Sequence, residues 1–410
     1  MQAGQYPKLI RMRRLAWIAG VFLACVSFAH SQWTIEDSTT TADLRGIDNV
    51  GRGVAWASGA NGTVLRTEDG GYLWQRCTIP PGAERLDFRA VQAFDANTAI
   101  VMSSGKGDLS RLYRTTDGCM TWKLLFTNPD EDGFWDALLM TDRNIGILIG
   151  DPVHGGHESE RASVRDGSFV FPTYHTIDGG NTWRRNDHGI FSASVDKNGQ
   201  PAESIFAASN SSIVLVPFME LFVTGGTING LHYYQYFAGP APESCKAPCN
   251  IASETDSTLA SGETAGGFSL ATNHHFAFHS SEKLSDSLSV VAVGGDFKLP
   301  ENTAGTAAVC HPKNDGGLFH FGCTPAQTPP HGYRSSVAYD DATKTWITVG
   351  PNGTDISTDD GRNWLALHSN PALHEPVDAD RNWNALSLPF VVGPHGRIGK
   401  LNPDALTQRH

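Results

Sequence analysis

The chain has 410 residues, of which 40% are hydrophobic and 18% are charged, and its formal net charge is −12. This balance excludes a long disordered chain, which would carry more charge and fewer aromatic side chains. The negative charge also argues against nucleic acid and against an acidic membrane surface as partners. The 43 glycines and 10 tryptophans suit many short strands joined by tight turns.

The first 31 residues have the pattern of a secretory signal peptide. Four basic residues precede an apolar run over 15–29, and small residues at Ala29 and Ser31 favour cleavage before Gln32. The sequence predicts a signal over 1–31, one domain over 32–410, no membrane span after cleavage, and a periplasmic or extracellular location. A retained anchor is the alternative, and the segment ending at Cys25 is a poor match to a lipoprotein signal.

One pattern, S/T-x-D-x-G-x-x-W, recurs along the chain. It spans 67–74, 115–122, 176–183 and 357–364, and only Cys119 departs from it, in place of the glycine. In such a turn the Asp accepts backbone hydrogen bonds, the Gly adopts a positive φ and the Trp packs beneath. This pattern is the Asp-box, or BNR repeat, and it is structural rather than catalytic. Its Asp and Trp residues are Asp69, Trp74, Asp117, Trp122, Asp178, Trp183, Asp359 and Trp364.

A larger unit surrounds each Asp-box and recurs about every 50 residues. We predict seven four-stranded blades that close into an all-β propeller, with an open solenoid or two β-sandwiches as alternatives. The last unit has three predicted strands, so we expect Trp33–Ser38 to supply a fourth and to close the ring. The polar stretch Glu243–Glu263 is predicted to be a long loop. The units span 45–77, 87–126, 133–186, 203–250, 264–323, 332–367 and 382–402.

Six cysteines lie beyond the signal, and an even number in an exported chain predicts disulfides. The first predicted pair brackets a degenerate Asp-box at 314–317 that lacks the Trp, where a disulfide would join the two strands. The second pair follows from sequence proximity and the third from elimination. Zinc is the alternative for the closely spaced second pair, although no other close pair supports it. The predicted pairs are Cys310–Cys323, Cys245–Cys249 and Cys77–Cys119.

Seven short segments are Leu44-Arg45-Gly46, Leu65-Arg66-Thr67, Gly150-Asp151-Pro152, Phe206-Ala207-Ala208-Ser209, Gly267-Phe268-Ser269-Leu270, Val293-Gly294-Gly295-Asp296-Phe297 and Gly332-Tyr333-Arg334-Ser335. In these segments, and in their order and spacing, the chain resembles the photosystem II stability/assembly factor-like family of Asp-box propellers. The resemblance implies a seven-bladed ring that is exported across a membrane. For members from phototrophs, it implies chaperoning of a photosystem subunit.

Three arginines occupy equivalent first-strand positions in the predicted ring: Arg45, Arg89 and Arg334. Asp151 and Asp296 follow second strands, so we expect them to approach the same end of the channel. Arginines gathered at one end of an acidic protein would bind a carboxylate or a phosphate. The alternative is that these arginines pair with the aspartates and only stiffen the channel, because structural ion pairs imitate binding sites.

Two classes of function remain open. The first is an exported, monomeric binding or assembly factor that recognises a protein or an anionic ligand on one propeller face and needs no cofactor. The second is a sialidase-type glycosidase, which would place a Tyr beside a Glu at the arginines. The Arg-Ile-Pro segment of sialidases is missing, because Gly46-Ile47 follows Arg45. Neither a dinucleotide-binding loop nor a nucleophile elbow is present.

Histidines near the predicted channel provide a weaker metal hypothesis. His154 and His157 follow Asp151, and a second group lies at His274, His275 and His279. Neither group has a complete ligand set at a recognised spacing, so we predict no metal there.

Overall fold

The computed structural model describes residues 32–155, 168–186, 191–235, 251–274, 287–315, 318–368 and 376–406. This part of the chain is almost entirely β-structure, with two short 3-10 helices at Gly107–Leu109 and Pro403–Leu406. None of its helices has the length and hydropathy needed to cross a membrane. All of its strand ladders are antiparallel, and hydrophobic and β-branched residues fill the buried faces.

The first strand, β1 (Trp33–Glu36), joins the last sheet of the chain. Sheets 1 and 2 then follow as simple four-stranded meanders, each built from consecutive strands. Sheet 1 contains β2 (Leu44–Gly51), β3 (Val54–Gly59), β4 (Val64–Thr67) and β5 (Gln75–Arg76). Sheet 2 contains β6 (Phe88–Ala93), β7 (Ala99–Ser103), β8 (Arg111–Thr115) and β9 (Lys123–Thr127).

Sheet 3 is interrupted by strands that form a separate, three-stranded side sheet. In chain order the strands are β10 (Trp135–Met140), β11 (Gly146–Gly150), β12 (Val153–His154), β13 (Phe169–Phe171), β14 (Thr173–Thr176), β15 (Arg184–Arg185) and β16 (Phe191–Ser192). Sheet 3 has the order β10-β11-β14-β15, and the side sheet has the order β12-β13-β16.

Sheets 4 and 5 exchange short strands at one end. The strands are β17 (Glu203–Ser204), β18 (Ile213–Val216), β19 (Met219–Val223), β20 (Gly225–Gly226), β21 (Gly230–Gln235), β22 (Ile251–Asp256), β23 (Gly262–Thr272), β24 (Val290–Asp296), β25 (Ala307–Asp315) and β26 (Leu318–Pro325). Sheet 4 has the order β18-β19-β21-β22, and sheet 5 has the order β17-β20-β23-β24-β25-β26.

Sheet 6 and the closing sheet complete the fold. Sheet 6 contains β27 (Ser336–Asp340), β28 (Thr345–Gly350), β29 (Gly353–Ser357) and β30 (Leu365–Leu367). The closing sheet contains β31 (Ala385–Ser387), β32 (Phe390–Val392) and β33 (Ile398–Leu401), with β1 paired against β33. The register runs from Trp33 opposite Leu401 to Glu36 opposite Ile398. The prediction that the N-terminal strand joins the last unit is confirmed.

The core consists of hydrophobic layers between successive sheets. One buried cluster lies at each of the contacts 1–2, 2–3, 3–4, 4–5 and 5–6. Two further clusters join sheet 6 to the closing sheet and the closing sheet to sheet 1. The sheets therefore close on themselves as a β-propeller, which leaves no open sheet edge at the ends of the chain.

Two expectations about the organisation were wrong. The described strands form eight sheets where seven blades were predicted, because Val153–His154 and Phe169–Phe171 pair with Phe191–Ser192 instead of joining sheet 3. The stretch Glu243–Glu263 is not all loop, because Ile251–Asp256 is the fourth strand of sheet 4. That strand also extends the predicted unit 203–250 beyond its end.

The four repeated turns share one hydrogen-bond pattern. In the first, Asp69 Oδ1 accepts from Thr67 Oγ1 at 2.8 Å and from Leu73 N at 3.0 Å. The same bonds recur at Asp117, Asp178 and Asp359. Cys119, which replaces the glycine, keeps a positive φ of 64°. The side chain of Trp74 is buried beneath its turn.

Two of the predicted disulfides are present. Cys77–Cys119 joins sheet 1 to the repeated turn of sheet 2, and Cys310–Cys323 joins the cross-strand neighbours of β25 and β26. The predicted pair Cys245–Cys249 lies outside the described residues. Disulfides of this kind are typical of an oxidising compartment.

Candidate ligand-binding site

Three polar residues project from bulges at the start of successive inner strands. The register between β2 and β3 shifts at Arg45, that between β6 and β7 at Arg89, and that between β10 and β11 at Asp136. A bulge inserts an extra residue and re-aims its side chain, which is why bulges recur beside functional sites. The equivalent bulge in sheet 5 carries Phe268.

Arg45 and Arg89 share a single carboxylate. Asp87, in the residue pair before β6, lies 2.9 Å from Arg89 Nε and 3.4 Å from Arg45 Nε through its Oδ2 atom. The Arg45 contact is an ion pair without a hydrogen bond, and Asp87 Oδ1 has no hydrogen-bond partner in the described part of the chain. The three side chains remain between 26% and 32% exposed. Two guanidinium groups therefore face one fixed acid at a position that solvent reaches.

Two buried carboxyl groups lie beside Arg89. Asp136 is 1% exposed, and both its oxygens lack a hydrogen-bond partner among the described residues. Burial raises the pKa of Asp136 well above its usual value, and the charge of Asp151 raises it further. Burial also raises the pKa of Asp151 to about 7, although the backbone N–H of Ile205 donates to this carboxyl at 2.9 Å.

These pKa shifts decide the charge of the site. A carboxyl with a pKa near 7 is protonated for much of the time at neutral pH, and Asp136 is more strongly perturbed than Asp151. The buried carboxyls therefore do not neutralise Arg89 fully, and the excess positive charge from Arg45 and Arg89 remains available to an anion. We call Arg45, Asp87, Arg89, Asp136 and Asp151 the arginine site.

Asp151→Asn is expected to stabilise the protein more at pH 8 than at pH 5. The pKa of Asp151 is about 7 in the folded state and about 3.9 when unfolded, so stability is lost as pH rises from about 4 to 7. The Asn variant escapes this loss and still accepts from Ile205 N. Its gain over the parent is expected to be about 2 kcal/mol larger at pH 8. Urea unfolding at both pH values measures this difference, and an equal gain at the two would contradict it.

An aromatic cluster lies next to the arginine site. Phe206 and Phe268 stack with ring centroids 4.2 Å apart, and Phe297 meets both rings edge-on at 6.2 Å. Tyr333 packs against Phe268 at 4.8 Å, and its pKa is raised by burial although the charge of Arg45 acts in the opposite direction. Phe297 is 44% exposed. The positive site is thus bordered by a partly exposed apolar surface, which we call the aromatic cluster.

Arg334 does not contribute a free guanidinium to this site. Its side chain is completely buried, its Nε donates to Asp355 Oδ2 at 2.8 Å, and its Nη2 donates to the same oxygen. Its Nη1 donates to Asn352 Oδ1 at 2.5 Å. Unlike Arg45 and Arg89, it lies before its strand rather than at a bulge. For this arginine the structure fits the ion-pair alternative, because its charge is already neutralised.

Asp296 has a local structural role. Its Oδ1 accepts from Thr264 Oγ1 at 2.7 Å and from Lys298 N at 2.9 Å, which fixes the turn after β24. The segment before β18 instead reaches the arginine site, because the Ala207 carbonyl accepts from Arg89 Nη1 at 3.1 Å. Sequence analysis missed Asp87 as the shared partner, although it directly precedes Phe88 and Arg89.

The other candidate groups give weaker sites. His154 packs on Phe169 at 4.1 Å, while His157, His275 and His279 lie outside the described residues. Within the described part, no glutamate is hydrogen-bonded to Tyr333, on which Arg45 acts electrostatically. The Tyr–Glu pair that a sialidase-type enzyme requires is therefore not found at this tyrosine.

Comparisons with known proteins agree with this architecture. No protein-family model matches the chain. A curated relative from Synechocystis sp., the photosystem II assembly lipoprotein Ycf48, is 31% identical over 93 residues, which cover 20% of this chain and 27% of the relative. The match therefore spans about a quarter of the relative's length.

Two solved structures share the fold. The structure of YCF48 bound to D1 peptide has a TM-score of 0.53 and 13% identity, and the match covers 91% of this chain and 97% of that one. YCF48 from Cyanidioschyzon merolae has a TM-score of 0.51 and 18% identity, and the match covers 91% of this chain and all of that one. The names of these similar proteins describe an assembly factor and not an enzyme.

Proposed function

We propose that this chain, a Ycf48-like β-propeller, is an exported binding or assembly factor that recognises a protein partner at the arginine site. The observation that carries the proposal is that Arg45 and Arg89 share one carboxylate while remaining partly exposed. A carboxylate of the partner would complete the second ion pair. One of the two solved relatives, YCF48 bound to D1 peptide, supports a peptide as the kind of ligand.

The surroundings of the arginine site favour a peptide over a small inorganic anion. The aromatic cluster gives an apolar surface beside the positive charge, and the exposed ring of Phe297 would pack against a side chain of the partner. Interfaces with proteins are enriched in aromatic and arginine side chains for this reason. Arg334 and Asp296 have structural roles in this proposal, and Asp151 tunes the charge beside Arg89.

The propeller that presents this site has seven blades in our interpretation. The innermost strands contact one another in the circuit β2, β6, β10, β18, β23, β27, β31 and back to β2. The side sheet takes no part in this circuit, so we interpret it as an insertion in the third blade. The four repeated turns are interpreted as Asp-boxes that brace the outer strands.

Export is supported by the two disulfides and by the charge pattern of the first 31 residues. We therefore propose a monomeric domain over 32–410 that acts in the periplasm or outside the cell. Nucleic acid is not a proposed partner, because the chain is acidic. No cofactor and no catalytic step enter this proposal.

The proposal predicts carboxylate-dependent peptide binding that needs both bulge arginines. The probe is a fluorescently labelled D1 peptide of the kind bound in the solved relative, prepared with a free and with an amidated C-terminus. Arg45→Gln, Arg89→Gln and amidation are each expected to weaken binding at least about tenfold, because each removes a charge-assisted pair. Fluorescence polarisation at low and high salt measures the affinities.

Arg143→Gln is the matched control for this experiment. Arg143 also pairs with an aspartate, Asp95, at 2.6 Å, but it lies in the turn at the opposite end of β10. It is expected to leave the affinity unchanged. Carboxylate-independent binding, or an equal loss in all three arginine variants, would contradict the proposed site.

A further inference from the structure

A second polar cluster lies far from the arginine site in sequence, where β17 meets sheet 4. It contains Glu203 on β17, His232 on β21 and Glu254 on β22. One ligand atom from each of the three side chains lies within 4.8 Å of the others. His232 and Glu254 are direct cross-strand partners, which fixes the two side chains on neighbouring strands.

The inner pair of this cluster is held rigidly. Glu203 Oε2 and His232 Nε2 are 2.9 Å apart, and both side chains are almost completely buried. Glu203 Oε1 accepts from Ser194 N at 2.7 Å, and Thr224 Oγ1 donates to Oε2 at 2.9 Å. The imidazole of His232 stacks on Phe222 with centroids 4.8 Å apart and an interplanar angle of 6°. Neighbouring groups therefore fix the orientation of both side chains before any ligand binds.

Glu254 has the opposite character. Its carboxylate accepts no hydrogen bond from any described residue; burial raises its pKa, the charge of His232 opposes this rise, and the charge of Glu203 adds to it. Gly230 leaves room for it, since a Cβ there would lie 2.7 Å from Glu254 Oε1. Two carboxylates thus approach each other with only one imidazole between them. Such a pair is stabilised by a cation.

We propose that Glu203, His232 and Glu254 bind a divalent transition-metal ion, and zinc is the ion we assign. One imidazole nitrogen and two carboxylate oxygens match the preference of zinc, whereas calcium and magnesium prefer oxygen ligands alone. Ligands about 2.1 Å from a common zinc ion lie about 3.4 Å apart in a tetrahedral site. Glu203 and His232 already meet this requirement, and Glu254 reaches it by a rotation of its side chain.

Zinc binding exchanges a hydrogen bond for a metal bond. The ion takes the lone pair of His232 Nε2, so the proton between this nitrogen and Glu203 leaves it. Thr224 Oγ1, 3.5 Å from Nε2, or a water molecule would complete the coordination. Phe171 and Phe191 of the side sheet border His232 at 5.4 and 6.0 Å. The ion would therefore link sheet 4 to β17 next to the side sheet.

Zinc titration of the full mature chain tests this site. Metal-free protein is expected to gain several degrees in Tm on adding ZnCl₂ and to retain one zinc per chain after dialysis, whereas CaCl₂ gives no shift. Glu254→Gln removes a ligand at an exposed position and is expected to weaken zinc affinity at least about tenfold without lowering the metal-free Tm. His232→Gln is expected to abolish the zinc-dependent shift.

Glu263→Gln is the matched control, because Glu263 is an exposed glutamate on the next strand, β23, outside the cluster. It is expected to bind zinc as the parent does. If the parent shows no zinc-dependent shift, or if Glu254→Gln binds zinc as tightly as Glu263→Gln, the assignment is overturned. The second result would locate any bound zinc elsewhere in the chain.

Discussion

Arg334→Met is expected to destabilise the folded protein by about 3–5 kcal/mol, because it leaves Asp355 as a buried charge without its main partner. Burial acts to raise the pKa of Asp355, but the hydrogen bond from His331 and the charge of Arg334 outweigh it, so the pKa is lowered overall. Removing Arg334 takes away one of these compensating groups. Urea unfolding at pH 7 measures the loss.

Arg45→Gln is the matched control for this prediction. Arg45 is 32% exposed and its ion pair with Asp87 lacks a hydrogen bond, so its replacement is expected to change stability little. A double variant, Arg334→Met with Asp355→Leu, is expected to recover part of the loss, since an apolar pair of similar volume avoids the buried charge. Equal stability of the parent and Arg334→Met would show that the buried pair does not stabilise the fold.

The opposite behaviour of Arg45 and Arg334 was not accessible from the sequence. Both precede a glycine or serine near the start of a first strand, and their neighbourhoods look alike when the units are aligned. Arg45 lies at a bulge of β2, however, whereas Arg334 precedes β27 and meets Asp355 on β29. A bulge and a partner 21 residues away are tertiary features, which a repeat alignment does not contain.

Local patterns predicted more than long-range ones. The S/T-x-D-x-G-x-x-W turns specify their own hydrogen bonds, as between Asp69 and Leu73, so sequence sufficed for these hairpins. The pairing Cys310–Cys323 followed from a hairpin, which brings nearby residues together. The side sheet was missed because its strands have two or three residues each and no distinct periodicity. Its partner Phe191–Ser192 also lies outside the repeat unit that was assigned to sheet 3.

The two proposed sites differ in what sequence can reveal about them. Arg45 and Arg89 recur at equivalent repeat positions, so an arginine site was predictable as a pattern. Glu203, His232 and Glu254 have no motif spacing and are brought together by cross-strand pairing and by the strand exchange at β17. Only the register His232 opposite Glu254 makes that cluster visible.

Trp33→Ala is expected to destabilise the protein by about 3–5 kcal/mol and to release the N-terminal strand. Trp33 is 1% exposed, packs against Trp383 at 5.7 Å and donates its Nε1–H to Thr354 Oγ1 at 3.0 Å. It therefore fastens β1 to the closing sheet and to sheet 6 at the same time. Loss of this ring leaves a cavity in the cluster that joins these two sheets.

Ile35→Ala is the matched control, because Ile35 lies on the same strand but is 40% exposed. Its replacement is expected to change stability little, whereas Trp33→Phe is expected to recover part of the loss by refilling the cavity. Thermal unfolding compares the three variants. Equal losses in Trp33→Ala and Ile35→Ala would contradict the proposed role of the buried ring.

Hydrogen exchange separates release of the strand from simple cavity formation. In the parent, β33 is covered by β1 from Leu401 to Ile398, and its backbone groups are paired on both sides. If Trp33 holds β1 in place, Trp33→Ala will accelerate exchange in β33 far more than in β28, which is central in sheet 6. The exposed edge of β33 would then pair with other chains, so size-exclusion chromatography of this variant is expected to show oligomers. A variant that loses stability while β33 stays protected and the protein stays monomeric would mean that β1 does not depend on Trp33 to close the ring.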